Sequence, residues 1–294
     1  VNIEDTEFGK YLNKKSSRHH YIPQFLINGF KNENGLLYIF DKNKDEILSK
    51  PRPPKSIFFE NDRNTLQIDE KNTSSILEDS LYSTIDNQIS KIIYELQSAP
   101  LQKIDLTDEK VSKMIFFLIT LFWRIPATDF AADNIFANSK ILVDGIELNH
   151  MHSDAAMNKI NRAGLFKHHI DQMILNGIKG QRVYNIHEVA EDVCVIGDNP
   201  ILFKNFSNKF SEFNDTDILM AVSSNRIFSS TFKPLKKFSA ANLRMFNIQI
   251  IEQSSKYIAC GNLEVLKNAV ELYRTVVKKG AIHTLNNWAF EEIT

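Results

Sequence analysis

Ser17-Arg18-His19-His20-Tyr21-Ile22-Pro23-Gln24-Phe25-Leu26 sets two adjacent histidines and a glutamine against the start of an apolar helix, in a chain with no other dense polar motif. Pro23 suits a first-turn position, where a missing N–H is no loss. Phe25, Leu26 and Phe30 supply the apolar side, and Asn28-Gly29 and Asn34-Gly35 break the helix. Gln24 follows His20 by four residues, so an early helix start puts both on one face. Adjacent residues point in different directions, so at most one of His19 and His20 faces a given site. One reading is general acid/base work or metal ligation by that imidazole, which titrates near neutral pH. The other is structural: one histidine packs or caps the helix while its neighbour meets solvent.

Outward from this stretch, residues 1–16 are polar and are expected to form a flexible arm, with 17–294 as a single domain. The run 36–40 reads as a strand, 41–45 as a turn and 46–48 as a second strand, which makes a hairpin. Pro51, Pro53 and Pro54 favour an extended edge segment. The clearest helix spans 74–97, where Leu77, Leu81, Ile85, Ile89, Ile92, Ile93 and Leu96 recur at steps of three and four. Ser75 and Glu78 match a capping box. Thr107 caps the next helix, with Asp108 and Glu109 in its first turn. That helix runs to Arg124-Ile125-Pro126. Further helices are expected at 128–142, 153–176, 238–252 and 262–278. The β-branched run 193–196 breaks at Gly197-Asp198-Asn199-Pro200. Residues 217–222 and 226–229 suggest a hairpin around Ser224-Asn225, and Ile258 sits in a short strand. There is no internal repeat, low-complexity tract or linker. The pattern is α+β: a mainly helical middle with short strands near the N-terminus and in the C-terminal third.

Composition narrows the class. The chain has 294 residues, 43% of them hydrophobic and 24% charged, with a net charge of −1. No global basic field exists, so nucleic-acid contact would need a local patch. Phe is abundant at 21 and Gly scarce at 10, which fits helices joined by short turns. Cys194 and Cys260 have no companions, which argues against a disulfide scaffold and a cysteine zinc site. A cytoplasmic setting is the expectation. The mixed, acidic N-terminus does not read as a signal peptide. The most apolar run, 114–123, is half the ~20 residues of a membrane span, so it reads as a buried helix and no membrane association is expected.

The polar candidates each carry two readings. Arg124 ends the most apolar helix, so burial would demand a carboxylate. Glu78, Asp86 and Asp198 are candidates. In α-helical geometry Glu78 and Asp86 lie roughly 80° apart. The guanidinium could clamp a phosphate or carboxylate, or form a structural ion pair. Asp198-Asn199-Pro200 follows a buried-looking strand and could face a pocket, or be plain turn chemistry. His150, His152, His168, His169 and the nearby Asp154 and Asp171 could ligate metal, although helical spacing splays such pairs apart. Lys233 to Lys237 and Lys278-Lys279 read as solvated faces. No phosphate-binding glycine loop, nucleophile elbow, CxxC pair or HExxH helix is present.

His19-His20-Tyr21-Ile22-Pro23-Gln24-Phe25-Leu26, followed by Phe30, resembles the "HHYVPQFYL…F" opening of a bacterial family catalogued as domain of unknown function 4238. The likeness extends along 19–278. Residues 36–41 look like its first strand, and Phe58-Phe59-Glu60-Asn61-Asp62 resembles the segment before its long helix. Glu78 and Asp86 match an acidic pair on that helix, with Asp where Glu is commoner. Trp123-Arg124-Ile125-Pro126 looks like "R-x-P", Gly197-Asp198-Asn199-Pro200-Ile201 like "SDNPV", and Phe246-Asn247 like a late Asn. The family's "PLSP" appears here only as Ala221-Val222-Ser223-Ser224.

The resemblance implies a shared polar site of His20, Gln24, Arg124, Asp198 and Asn199, joined by Glu78 and Asp86. The expected function is phosphodiester cleavage: a nuclease-like effector of bacterial anti-phage defence or a toxin system. In it His20 acts as base or metal ligand, and Glu78, Asp86 and Asp198 hold a divalent Mg or Mn ion or orient His20. Arg124 stabilises phosphate, and Gln24 and Asn199 position it. The expected partners are nucleic acid or nucleotide and a protein encoded in the same operon. Two alternatives stand beside it. One is a binding module for a nucleotide or small signal. The other is a sensor of a phage component that uses exposed phenylalanines around 203–213.

Overall fold

In a computed structural model the chain is described over residues 7–14, 18–68, 70–137, 141–143, 146–148, 155–176, 182–189, 193–204, 212–235, 238–280 and 288–290. Its α-helices are α1 (Gln24–Ile27), α2 (Ser83–Ser98), α3 (Asp108–Arg124), α4 (Asp129–Ala137), α5 (Ala155–Asn176), α6 (Glu212–Asp215), α7 (Ala240–Gln253) and α8 (Leu263–Lys278). Its strands are β1 (Arg18–His20), β2 (Tyr38–Asp41), β3 (Glu46–Ile47), β4 (Phe59–Asn61), β5 (Leu66–Gln67), β6 (Thr73–Ser74), β7 (Ile141–Val143), β8 (Ile146–Leu148), β9 (Val183–Glu188), β10 (Ile196–Gly197), β11 (Ile201–Phe203), β12 (Ile218–Ser223), β13 (Arg226–Thr231) and β14 (Tyr257–Cys260). The fold is α+β, and every strand pair is antiparallel.

Two four-stranded sheets dominate, in the orders β10-β14-β2-β3 and β11-β12-β13-β9. Helix α7 touches both, through β10 and β11, and α8 covers β2 and β14. One hydrophobic cluster runs from Tyr21 through α2 and α3 to Phe290. Helix α3 lies at its centre: Met114, Leu118, Ile119 and Leu121 are fully buried. Its start is capped as expected, with the Thr107 side chain accepting from the Lys110 amide. Among the described residues no single helix is long and apolar enough to cross a membrane.

The first motif is pinned from three sides. Arg18, His19 and His20 pair with Asn61, Glu60 and Phe59 in a two-stranded ladder. The amide of Tyr21 donates to the Phe58 carbonyl. Gln97 of α2 donates to the carbonyls of Phe25, Leu26 and Val222, which ties α1 to β12. Glycine is required at position 29, since a Cβ there would meet the Val222 carbonyl at 2.7 Å.

Several expectations change. His20 lies in a strand and α1 begins at Gln24, because β4 captures the backbone before Pro23 can start a helix. The helix expected from 74 begins with a π-helical turn, Leu77–Tyr82. Its capping box does not form, since the Ser75 hydroxyl donates to the Asp79 carboxylate. The helix expected at 128–142 stops at Ala137, and β7 and β8 follow. The sequence there carries Asp144-Gly145 between β-branched residues, a two-residue hairpin signal. Regular pairing near 193–196 starts only at Ile196. Part of the expected arm is fastened, for Leu12 bridges Ser74 and the Ser75 amide donates to the Tyr11 carbonyl. Phe203 and Phe213 are not exposed: they pack edge-on with each other and with Phe122 in the core. Phe206, Phe210, His150, His152 and Asp154 lie outside the described residues.

Candidate functional site

Arg124 is the hub. It ends α3 with its side chain only 3% exposed. Burying a guanidinium is costly without a partner, and α2 and the π turn before it supply one carboxylate each. Arg124 Nη1 donates to both oxygens of Asp86 at 3.0 Å, and Nη2 lies 3.6 Å from Glu78 Oε1. The π turn makes this possible. Eight residues of α-helix would leave the two carboxylates roughly 80° apart. An i→i+5 turn rotates less per residue and cancels much of that angle. Tyr82, buried in the same turn, lies under the guanidinium at 4.7 Å from its ring centroid. Burial pushes the Asp86 carboxyl up, against the pull of Arg124.

His19 joins this hub through Asn64. The amide of Asn64 donates to His19 Nδ1 at 2.9 Å, and its side chain donates to Glu78 Oε2 at 2.8 Å. His19 is buried and serves the structure, as one of the two sequence readings held. His20, on the opposite face of the ladder, contacts Gln24 at 3.5 Å through Nδ1 and leans on the Phe59 ring. Burial lowers its pKa, the Lys55 backbone opposes that, and the charges of Arg124 and Glu78 reach it with opposite signs. Its Nε2 is buried without a hydrogen bond. So are Asn64 Oδ1 and Arg124 Nε. Native proteins leave few such atoms, and here three lie on residues of one neighbourhood.

Two further arginines hold Arg124 in place. Arg63 Nε donates to the Arg124 carbonyl, and its other nitrogens bind Asp129 and Glu60. Arg162 Nη1 reaches the Trp123 carbonyl. Both therefore cap the negative end of α3, while Asp129, first residue of α4, anchors the bend after Pro126. On the solvent side stand different cations. Arg18 is exposed and lies 4.8 Å over the Phe59 ring, and Lys55, whose backbone meets His20, is exposed.

His20, Gln24, Glu78, Asp86 and Arg124 thus belong to one neighbourhood. Asp198 and Asn199 are engaged elsewhere. The Asp198 carboxylate accepts from the amides of Ser255, Lys256 and Tyr257 at 2.7 to 3.0 Å. Asn199 exchanges hydrogen bonds with Gln253. Both residues tie β10 to the turn between α7 and β14, which is the turn-chemistry reading. The pair Glu78 and Asp86 does not fit a divalent ion as it stands, because Arg124 and Asn64 take up the carboxylates. No group of three His, Cys, Asp or Glu among the described residues is placed to hold a metal. His169 is buried as well, accepting from Trp123 Nε1 at 3.3 Å. Sequence reasoning missed Arg63 and Asn64, which directly follow the Phe58–Asp62 segment, and also Arg18, Lys55 and Phe59. Their one signal was proximity to the first motif in a strand pair.

No curated protein and no solved structure matches the chain. One family does, a protein of unknown function, DUF4238, whose family model matches residues 18–268. That span holds the paired histidines, the acid pair and Arg124, and the chain belongs to the DUF4238 family.

Proposed function

We propose that the chain is a phosphodiester hydrolase whose working group is His20. The observation that carries this reading is the cluster of unpartnered buried polar atoms on His20, Asn64 and Arg124. His20 Nε2 moves the proton: water attacks phosphorus, its proton passes to the imidazole, the P–O bond breaks, and the leaving oxygen takes a proton. A base at Nε2 needs the ring proton on Nδ1, which Gln24 meets when its side-chain amide is turned so that the carbonyl oxygen accepts from Nδ1–H. Exposed Arg18, over the Phe59 ring that His20 leans on, and exposed Lys55, whose backbone meets His20, are the cations that would receive phosphate. The trio of Arg124, Glu78 and Asp86 has net charge −1, so Arg124 orients the acid pair behind His20 instead of gripping phosphate. The acid pair serves Arg124 and is not assigned to Mg or Mn. Nuclease activity would be compatible with an effector role in phage defence.

The test is purified protein with single-stranded DNA, RNA and a chromogenic phosphodiester, with and without a chelator. The expected result is cleavage that survives chelation and falls at least a hundredfold in His20→Ala. Intact substrates throughout would remove the reading. The burial of Arg124 favours a second one, ligand binding without turnover. A nucleotide that raises the melting temperature and is recovered unchanged would establish that instead.

A further inference from the structure

A separate hollow opens where β11 and β13 end and β12 begins. A cavity of about 530 Å³ is lined by Lys204, Asp217, Phe232, Lys233, Pro234, Leu235 and Phe290. That volume falls within the range of small-molecule sites. None of its residues belongs to the His20 cluster.

Phe232 is the unusual element. It immediately follows β13 and is 42% exposed. The guanidinium of Arg182 lies 4.5 Å from its ring centroid and covers one face. Arg182 is itself fixed, donating to the Ser230 hydroxyl, the Ser230 carbonyl and the Thr216 carbonyl. The backbone of Phe232 is held too, its amide donating to Asp217 Oδ1 at 2.7 Å. A large aromatic ring is thus pinned from behind and left partly open in front. Such a ring is a stacking platform that loses little freedom on binding.

Charge completes the site. Asp217 Oδ1 is taken by the Phe232 amide, and its Oδ2 is 3.9 Å from Lys204 Nζ. Lys233 is exposed, and its ammonium makes no ion pair among the described residues. The lining therefore carries one more cation than anion. Pro234, Leu235 and the buried Phe290 supply apolar wall. A flat apolar body bearing an anionic group matches this arrangement. We propose that the cavity binds a nucleoside monophosphate, with the base stacked on Phe232 and the phosphate between Lys204 and Lys233.

The four common nucleoside monophosphates, adenosine and inorganic phosphate are titrated separately into the whole protein by calorimetry. At least one monophosphate is expected to bind at about 10–100 μM. Adenosine and phosphate alone are each expected to be at least tenfold weaker. Phe232→Ala and Lys233→Glu change exposed side chains, so both variants should fold, as circular dichroism would verify, and each should weaken binding at least tenfold. Absence of binding by all four at millimolar concentration overturns the proposal. So does binding that persists in both variants, or binding lost in His20→Ala and kept in Phe232→Ala, which would move it to the other site.

Discussion

At the scale of single residues, Arg124 tests whether the hub is a paired cluster or a set of independent contacts. Replacing it with leucine leaves Asp86 and Glu78 facing each other without their cation. Removing one partner of a buried pair typically costs about 3–5 kcal/mol. Both carboxylates keep some solvent, 24% and 22% exposed, so the lower end is expected. The cost should depend on pH, and the sign follows from Asp86. Its carboxyl is already raised by burial and only Arg124 pulls it down. In Arg124→Leu it rises further, and a raised carboxylate contributes stability that is lost as pH rises. Urea denaturation should therefore show a larger loss at pH 8 than at pH 5. Asp86→Asn should recover part of it in the double variant. A loss below 1 kcal/mol at both values would mean that water already screens the trio. The sequence exposed this much: an arginine ending an apolar helix needs an acid, and two of the three carboxylates considered are its partners. Asp198 was the third, and nothing local separates it from them. Its partners, the amides of 255–257, lie more than fifty positions away and carry no side-chain signature. Phe58, buried with φ at 57°, was equally hidden. A bulky residue in the left-handed region costs about 1–3 kcal/mol, and here the strain sits where β4 meets the first motif.

At the scale of elements, the π turn and the α7–β14 turn carry separate expectations. Replacing Glu78 with alanine should remove the carboxylate that the π turn Leu77–Tyr82 brings round to Asp86 and Arg124. Far-UV circular dichroism should keep its helical signal while stability drops by about 1–3 kcal/mol. An unchanged midpoint would show that Glu78 adds nothing to Arg124. The turn after α7 is locked twice. Lys42 donates to the carbonyls of Ile251, Glu252 and Ser254, and Asp198 accepts from the next three amides. Hydrogen bonds to a charged group contribute about 1.5–3 kcal/mol, so Asp198→Ala should lower stability by about that much. Any activity of the folded fraction should stay as it was, whereas a catalytic Asp198 would lose it without a shift in midpoint. Long helices with steady periodicity were legible: α3, α5, α7 and α8 lie within two or three residues of expectation. The π turn was not, because Leu77, Leu81 and Ile85 keep a four-residue step that reads as α. Strands β9 and β11 were missed for a different reason. Each owes its existence to a partner strand supplied by distant sequence, not to its own pattern.

At the scale of the whole molecule, burial of neutral histidines makes the fold sensitive to acid. Burial lowers the pKa of His19, His20, His169 and His187 alike. These residues link α5, β1 and β9 to the core, so their protonation strains both ends of the fold. His169 is the extreme case, lowered to about 4 by burial with a further push from His168. Its Nδ1 accepts from Trp123, and Phe213 packs edge-on at 5.0 Å. A proton there would break the hydrogen bond and place a charge among aromatic rings. The unfolded chain has no such restraint and takes up protons near 6.5. Stability is therefore fully present above that value and is lost as pH falls from 6.5 toward 4, where the folded form begins to bind the proton too. Over that interval His169 alone accounts for on the order of 3 kcal/mol. Asp86 and Asp198, both raised by burial, act in the opposite direction and temper the fall at its acid end. The measurement is the urea midpoint of the native chain and of His169→Gln at half-unit steps between pH 7 and 4.5. Glutamine can still accept from the indole but cannot titrate, so the variant's curve should be visibly flatter while its stability at pH 7 stays within about 2 kcal/mol. Parallel curves would mean that His169 takes up its proton in the folded state as readily as in the unfolded one. The aromatic pocket around Trp123 would then not be the source of the acid sensitivity.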